Sequence, residues 1–306
     1  MMDLNQLNES WNVGKMSSFF DNLKDSKELM AFAEWRKEQV DTEMKVIMEC
    51  PSANTITAVV LTPALDDGFA SRTRDLLSYH SKVFVTGKSP FFNESRYFNA
   101  GIQEALKLNS KWIVFMCDDI REIEDMGLLT RHLHALNNQD TDVVWINPKP
   151  DNYHSCPAYL TPVSGLQNLA EHFTGNREFS YIRQKFGVKE IVTLENPISK
   201  PFRYWLFHTL YPAKFQHPTL KLNITGDFCI LSSEWCRDNM PVFDSMFIGN
   251  QDVDLSLRLA KTRSVTIDFR IGSEIGGHYK PSVVKSMKEL FNLSILNTYL
   301  REGRYT

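Results

Sequence analysis

Four short apolar runs rich in β-branched residues, each separated from the next by a segment of helical spacing, constrain this chain more than any other feature. They are TITAVVLT (55–62), KVFVTG (82–87), KWIVFMC (111–117) and DVVWINP (142–148). Runs of this length and composition read as buried strands. Between them lie SRTRDLLSYH, the amphipathic YFNAGIQEALKL (97–108) and GLLTRHLHAL, each spaced for a helix with one apolar face. Strands alternating with helices predict an α/β domain: a mostly parallel, Rossmann-like sheet with helices on both faces. In such sheets ligands collect at the carboxyl ends of the strands.

The pattern continues after an irregular stretch. Residues 149–222 are rich in Pro, His and aromatics, as in PFRYWLFHTLYPAKFQHP, and are expected to form an acceptor-side lid or binding loop. GDFCILS (226–232) returns to strand, SEWCRDNM and DVDLSLRLAKT to helix, and SVTIDFRIG to strand. Residues 1–54 are polar and helix-prone, with Leu29, Phe32, Trp35 and Val40 at helical intervals. They are expected to form an N-terminal extension of one or two helices that packs on the main body. Residues 55–280 form the main domain, and 281–306 a C-terminal helix.

Two acidic stations punctuate this framework. Asp118 and Asp119 follow KWIVFMC directly, at the end of the third run. Two carboxylates at a buried strand end are costly unless a cation or hydrogen bonds compensate them. Mg²⁺ and Mn²⁺ favour carboxylate oxygens together with substrate phosphates. The second station is QDVDLSLRL (251–259), with Asp252 and Asp254 in a first helical turn. Complementation of the helix dipole explains acidic residues there and suffices for Asp254.

Composition narrows the classes. The 306 residues carry a formal net charge of −3, so the bulk charge argues against wrapping nucleic acid. Five cysteines, an odd number without a CxxC pair, indicate a reducing compartment rather than a disulfide framework. No basic segment followed by an apolar run marks a signal peptide, and no apolar run approaches the ~20 residues that span a bilayer. A cytoplasmic location is expected, with peripheral membrane contact of the C-terminal helix as the alternative. The Asn-x-Ser/Thr matches at Asn8, Asn93, Asn223 and Asn292 are then coincidental.

The order of these elements resembles inverting GT-A glycosyltransferases of the family 2 type. Phe243, Asp244 and Phe247 match a Phe-Asp-x-x-Phe element. Residues Asp252 to Arg258 match the Asp-Val-Asp-Leu-Ser-Leu-Arg that follows it, and Asn99, Gly101 and Ile102 match an Asn-x-Gly-Ile helix. MCDDI stands where the family carries its DXD-like element, and His278 in GGHYKP where it often has a histidine. The resemblance spans residues 55–280. It implies sugar transfer from a nucleoside-diphosphate sugar, a UDP-sugar in the first instance, to a hydroxyl on a glycan, lipid-linked or protein acceptor. A divalent cation, Mn²⁺ or Mg²⁺, would be held by Asp119 and His278. Asp252 would be the general base, with Thr62, Asn99, Asp118 and Asp119 lining the donor site. Asn99 has a second reading, as a side chain that caps local backbone.

Three positions depart from that pattern: Cys117 precedes the Asp pair, Gln251 replaces a Glu, and VTGKS ends the second strand in place of an acidic turn. The first two favour an alternative, a degenerate GT-A module that binds or scaffolds without catalysis. A sugar-nucleotide pyrophosphorylase is disfavoured. LTPALDDGF offers one Gly and no Lys or Arg where that chemistry needs a basic, Gly-rich phosphate loop.

Overall fold

A computed structural model describes residues 3–12, 16–52, 54–87, 93–147, 155–156, 158–162, 183–187, 190–194, 223–224, 228–248, 251–259, 262–269, 271–273 and 283–304. Three helices open the chain: α1 (Leu4–Asn12), α2 (Met16–Asn22) and α3 (Ser26–Glu38). The main sheet is built from β1 (Lys45–Glu49), β2 (Ile56–Leu61), β3 (Ser81–Thr86), β4 (Trp112–Cys117), β6 (Val143–Asn147), β11 (Phe228–Ser232) and β12 (Ser264–Asp268). Minor pairs are formed by β5 (Ile120–Ile123) with β13 (Ile271–Ser273), β7 (Ser155–Cys156) with β10 (Asn223–Ile224), and β8 (Ala158–Pro162) with β9 (Glu190–Leu194). The remaining helices are α4 (Gly68–Leu76), α5 (Glu94–Ala105), α6 (Met126–Leu136), α7 (Ser233–Asp238), α8 (Gln251–Arg258) and α9 (Val283–Arg301).

The seven-stranded sheet runs β1-β3-β2-β4-β11-β6-β12. Strands β3, β2, β4, β6 and β12 share one direction, while β1 at the edge and β11 in the middle run against it. The expected α/β class and mostly parallel sheet hold, with two of the seven strands reversed. Ser232, the last residue of β11, caps α7 through a side chain that accepts from Trp235 N at 3.0 Å, so the strand runs directly into that helix.

Alternate residues of the central strands face opposite layers. Val59, Leu61, Ile113, Phe115 and Cys117 pack with Phe98 and Ile102 of α5, Cys236 of α7 and Leu255 of α8. Ile56, Ala58, Val60, Trp112, Val114 and Met116 pack against Leu129 and Leu133 of α6, with Leu76 of α4 at the margin. Every residue of β2 and β4 is buried, as both-faced coverage requires. Gly101 permits the closest of these approaches. A Cβ there would lie 2.4 Å from Val59 Cγ1 and 2.9 Å from Val85 Cγ2, so α5 sits on β2 and β3 at a distance only glycine allows.

A third core was not foreseen. Phe19, Phe20, Leu23, Leu29 and Phe32 of the N-terminal segment pack with Leu290, Phe291, Ile295 and Tyr299 of α9, and with Met246, Phe247 and Ile248. The two terminal extensions therefore cover one another instead of docking separately. The N-terminal stretch also supplies β1, where an all-helical extension was expected. KVIME carries a charge at each end and is only partly buried, which hides an edge strand among helix-prone residues. Arg74 of α4 anchors that edge through Glu49 at 2.9 Å. No helix among the described residues is long and apolar enough to cross a membrane.

Candidate active site

The crevice follows from the winding. From β2 the chain passes through α4 on one face to β3, then through α5 on the other face back past β2 to β4. The carboxyl ends of β2 and β4 are thus the topological switch point, where α/β sheets bind ligands. Thr62 follows β2, with Pro63 ending that strand. Asp118 and Asp119 follow β4. All three are buried, at 4%, 2% and 9% exposure.

Two of the three form one unit. Thr62 Oγ1 lies 2.7 Å from Asp118 Oδ2 and 2.8 Å from the Ala64 carbonyl oxygen. A hydroxyl has one proton to give, and the charge-assisted bond to the carboxylate is the stronger. Asp118 is also held through its backbone. Its N–H donates to Leu61 O at 3.1 Å, and its carbonyl accepts from Thr73 Oγ1 of α4 at 3.3 Å. Asp119 is next in the chain, before β5 begins. The antiparallel partner of β5 ends with Ser273 opposite Ile120, so the chain leaves β13 beside the acidic pair. His278 lies outside the described residues.

The second station sits at the same end of the sheet. Leu255 and Leu259 bury α8 against Phe115, Cys117 and Cys229. Cys229 pairs with Phe115, two residues before β4 ends. Gln251, the residue before Asp252, bonds Glu94, which opens α5 after the carboxyl end of β3. Burial pushes the Cys229 thiol up, and the neighbouring Cys236 and the charge of Asp252 push it further. Asp252 is half-buried in the first turn of α8, and its carbonyl accepts from Ser256 Oγ at 2.6 Å.

The two carboxylates of that turn differ in employment. Asp254 is 2% exposed and paired with Arg258, whose Nη2 lies at 2.8 Å and also donates to Val242 O at 2.6 Å. Asp254 serves the fold. Gln251, in the position where the family motif has a Glu, is 1% exposed, and its Nε2 donates to Glu94 Oε2 at 3.4 Å. Cys117 packs within the core, as its sequence context indicated.

Asn99 is committed to backbone. Its Nδ2 donates to Phe243 O at 2.8 Å, and its Oδ1 accepts from Phe243 N at 3.0 Å. The amide thus binds backbone, though of a segment 144 positions away rather than the local backbone of the capping reading. The structure thus brings Thr62, Asp118 and Asp119 together, sets Asp252 at the same sheet end, and withdraws Asn99 into a supporting position.

Several contributors carried no signal in the sequence. Thr73 holds the Asp118 carbonyl. Asn93 caps α5 through Arg96 N at 3.1 Å and reaches Ser245 O at 2.8 Å, across 152 positions. Asn292 accepts from Ile248 N at 2.9 Å. The burial of Asn8, Asn93 and Asn292 agrees with their sequons being coincidental. Among the described residues no group of three or more His, Cys, Asp or Glu side chains is placed to hold a metal ion. No protein-family model matches the chain, and no curated protein matches its sequence.

Proposed function

We propose that the chain is a metal-dependent inverting glycosyltransferase of GT-A type, moving a sugar from a nucleoside-diphosphate sugar to a hydroxyl acceptor. One observation carries this reading. The Asp118–Asp119 pair lies at the switch point of the sheet, with Thr62 bonded to Asp118, and a second carboxylate, Asp252, stands at the same end on a different element.

The donor set suits a hard divalent cation that shares its coordination with phosphate oxygens, since Mg²⁺ is commonly held by one or two carboxylates plus substrate phosphates. Asp119 is the residue proposed to hold it, with His278 as a second ligand. Such a cation supplies positive charge to the leaving diphosphate. Asp118, fixed by Thr62, keeps its carboxylate on the β2 side of the crevice, where it orients donor groups. Asp252 accepts the proton of the attacking hydroxyl. A base on a helix start, separate from the strand that carries the metal carboxylate, allows attack from the face opposite the leaving group and hence inversion.

The test is a thermal-shift panel of nucleoside diphosphates and UDP-, GDP- and other sugar nucleotides, with and without Mn²⁺. A ligand at 100 times its Kd stabilises by about 2.7 kcal/mol, well within reach of the assay. The expected result is a shift that needs both Mn²⁺ and one nucleotide, lost in Asp119→Ala and kept in Asp252→Asn. Asp252→Asn is expected to lower transfer by about 10²–10⁴, the usual contribution of a general base. No shift across the panel with folded protein would replace this reading with the non-catalytic GT-A module.

A further inference from the structure

The segment from Val242 to Ile248 leads from α7 into α8, and side chains from three helices hold it. Arg258 of α8 donates to Val242 O at 2.6 Å. From α5 and its cap, Asn99 binds both backbone groups of Phe243, Asn93 donates to Ser245 O, and Ser95 Oγ donates to Phe247 O at 3.4 Å. From α9, Asn292 Oδ1 accepts from Ile248 N at 2.9 Å, and Tyr299 OH donates to Asp244 Oδ2 at 2.8 Å. The other oxygen of Asp244 accepts from Met246 N at 2.9 Å, closing the turn on itself. The segment also joins two cores. Phe243 stacks on Phe98 beneath the sheet, while Phe247 meets the Tyr299 ring edge-on at 5.8 Å in the terminal-helix core.

We infer that α9 is a positioning element for the candidate active site: Asn292 and Tyr299 fix the Asp244–Ile248 turn and, through it, the first turn of α8 that carries Asp252. Only two residues separate Ile248 from Gln251, so the chain has little slack in which to absorb a displacement. The later part of α8 has a further polar fastening, through Asp254, Arg258 and Val242 O. Loosening the α9 contacts therefore acts first on the helix start, where Asp252 sits. The contacts lie 44 and 55 positions from their targets, so the C-terminal helix closes the site region from a distant part of the chain. The consequence for turnover rests on the glycosyl-transfer reading; the clamp itself does not.

Tyr299→Phe removes only the hydroxyl and keeps the ring against Phe247, and Asn292→Leu removes the acceptor for Ile248 N. Arg301→Gln, an exposed position of the same helix, is the control. Amide exchange read by mass spectrometry over residues 242–258 is expected to quicken about tenfold in the first two variants, as local opening becomes easier, and to stay unchanged in the third. In a transfer assay kcat is expected to fall by about 10–100-fold with donor KM unchanged, the signature of a misplaced reacting group. Unaltered exchange at 251–258 in both variants overturns the clamp, and unaltered kcat overturns its catalytic role. Loss of the transfer reading itself shows separately, as wild-type protein without a Mn²⁺-dependent nucleotide shift, and the exchange result still decides the clamp.

Discussion

The bond between Thr62 and Asp118 ties the first and third runs of the sequence at the candidate site, and its strength can be measured. Thr62→Val keeps the shape of the side chain and deletes the hydroxyl. Asp118 is 2% exposed and Thr62 4%, so little water reaches the carboxylate oxygen left behind. A hydrogen bond to a charged group contributes roughly 1.5–3 kcal/mol, and the buried acceptor has no compensating hydration. At about 2–4 °C per kcal/mol, the scale for chains of a couple of hundred residues, the melting temperature should drop by roughly 3–12 °C. Asp118→Ala should cost less. The Thr62 hydroxyl then donates fully to Ala64 O, already at 2.8 Å, and one of two adjacent carboxylates is gone.

The two single variants and the double variant form a cycle. Urea unfolding in EDTA gives each stability without a contribution from bound cation. The coupling expected for a buried charge-assisted pair is about 1–2 kcal/mol, because once the carboxylate has been removed Thr62→Val costs only the weaker neutral bond to Ala64 O. A coupling below about 0.5 kcal/mol, the usual error of additivity, would refute the reasoning. Thr62 would then be a strand-ending turn residue bonded to Ala64 alone.

Three further outcomes follow from the packing and charge described above. Gly101→Ala inserts a methyl against Val59 and Val85, two side chains stiff at χ1. Overpacking of about 1–3 kcal/mol should outweigh the ~1 kcal/mol gained in helix propensity, seen as a lower urea midpoint. Arg258→Leu strands the Asp254 carboxylate at 2% exposure and frees Val242 O. Because the Arg258 side chain is itself 31% exposed, the loss should be roughly 2–4 kcal/mol, at the lower end of the range for breaking a buried pair. Burial, and then Lys82, lower the His80 pKa from its ordinary 6.5. The unfolded chain therefore binds the proton first as pH falls, and stability present above pH 6.5 is lost on going below it. His80→Gln should flatten that acid-side slope in melting curves taken between about pH 7.5 and 5.5, the range in which an ordinary histidine titrates; parallel slopes would remove His80 from the account.

The central sheet was legible because each of its inner strands is buried on both faces and says so in its composition. TITAVVLT and KWIVFMC need no partner to be identified, and both became neighbouring strands in register from Ile56 opposite Trp112 to Leu61 opposite Cys117. Strand direction was not legible at β11. FCILS is buried throughout and would read the same in either orientation. Its direction shows only in the pairing, antiparallel to both β4 and β6. The edge strand β1 escaped for the opposite reason, since partial exposure leaves no apolar run to see. The N-terminal helices were visible as helices, but their partner, α9, lies at the other end of the sequence, and amphipathicity names a buried face without naming what buries it.

The same division separates the site residues. Asp118 and Asp119 could be singled out because a strand end is a local feature, and Thr62 because it occupies the matching place on the strand beside them. For Asn99 the sequence left a donor role and a backbone role open, and the partner that engages it, Phe243, lies 144 positions on. Asp252 and Asp254 make the contrast sharpest, two carboxylates in one helical turn with the same claim on the helix dipole. The partner of Asp254 was present in the sequence at Arg258, four residues on, at the spacing where a helix brings opposite charges together. At the same spacing from Asp252 stands Ser256, which binds its carbonyl rather than its carboxylate. Asp254 is thus paired within its own helix and its replacement should tell on folding; the Asp252 carboxylate accepts from Val253 N at 3.0 Å, and under the proposed base role its replacement should tell on transfer.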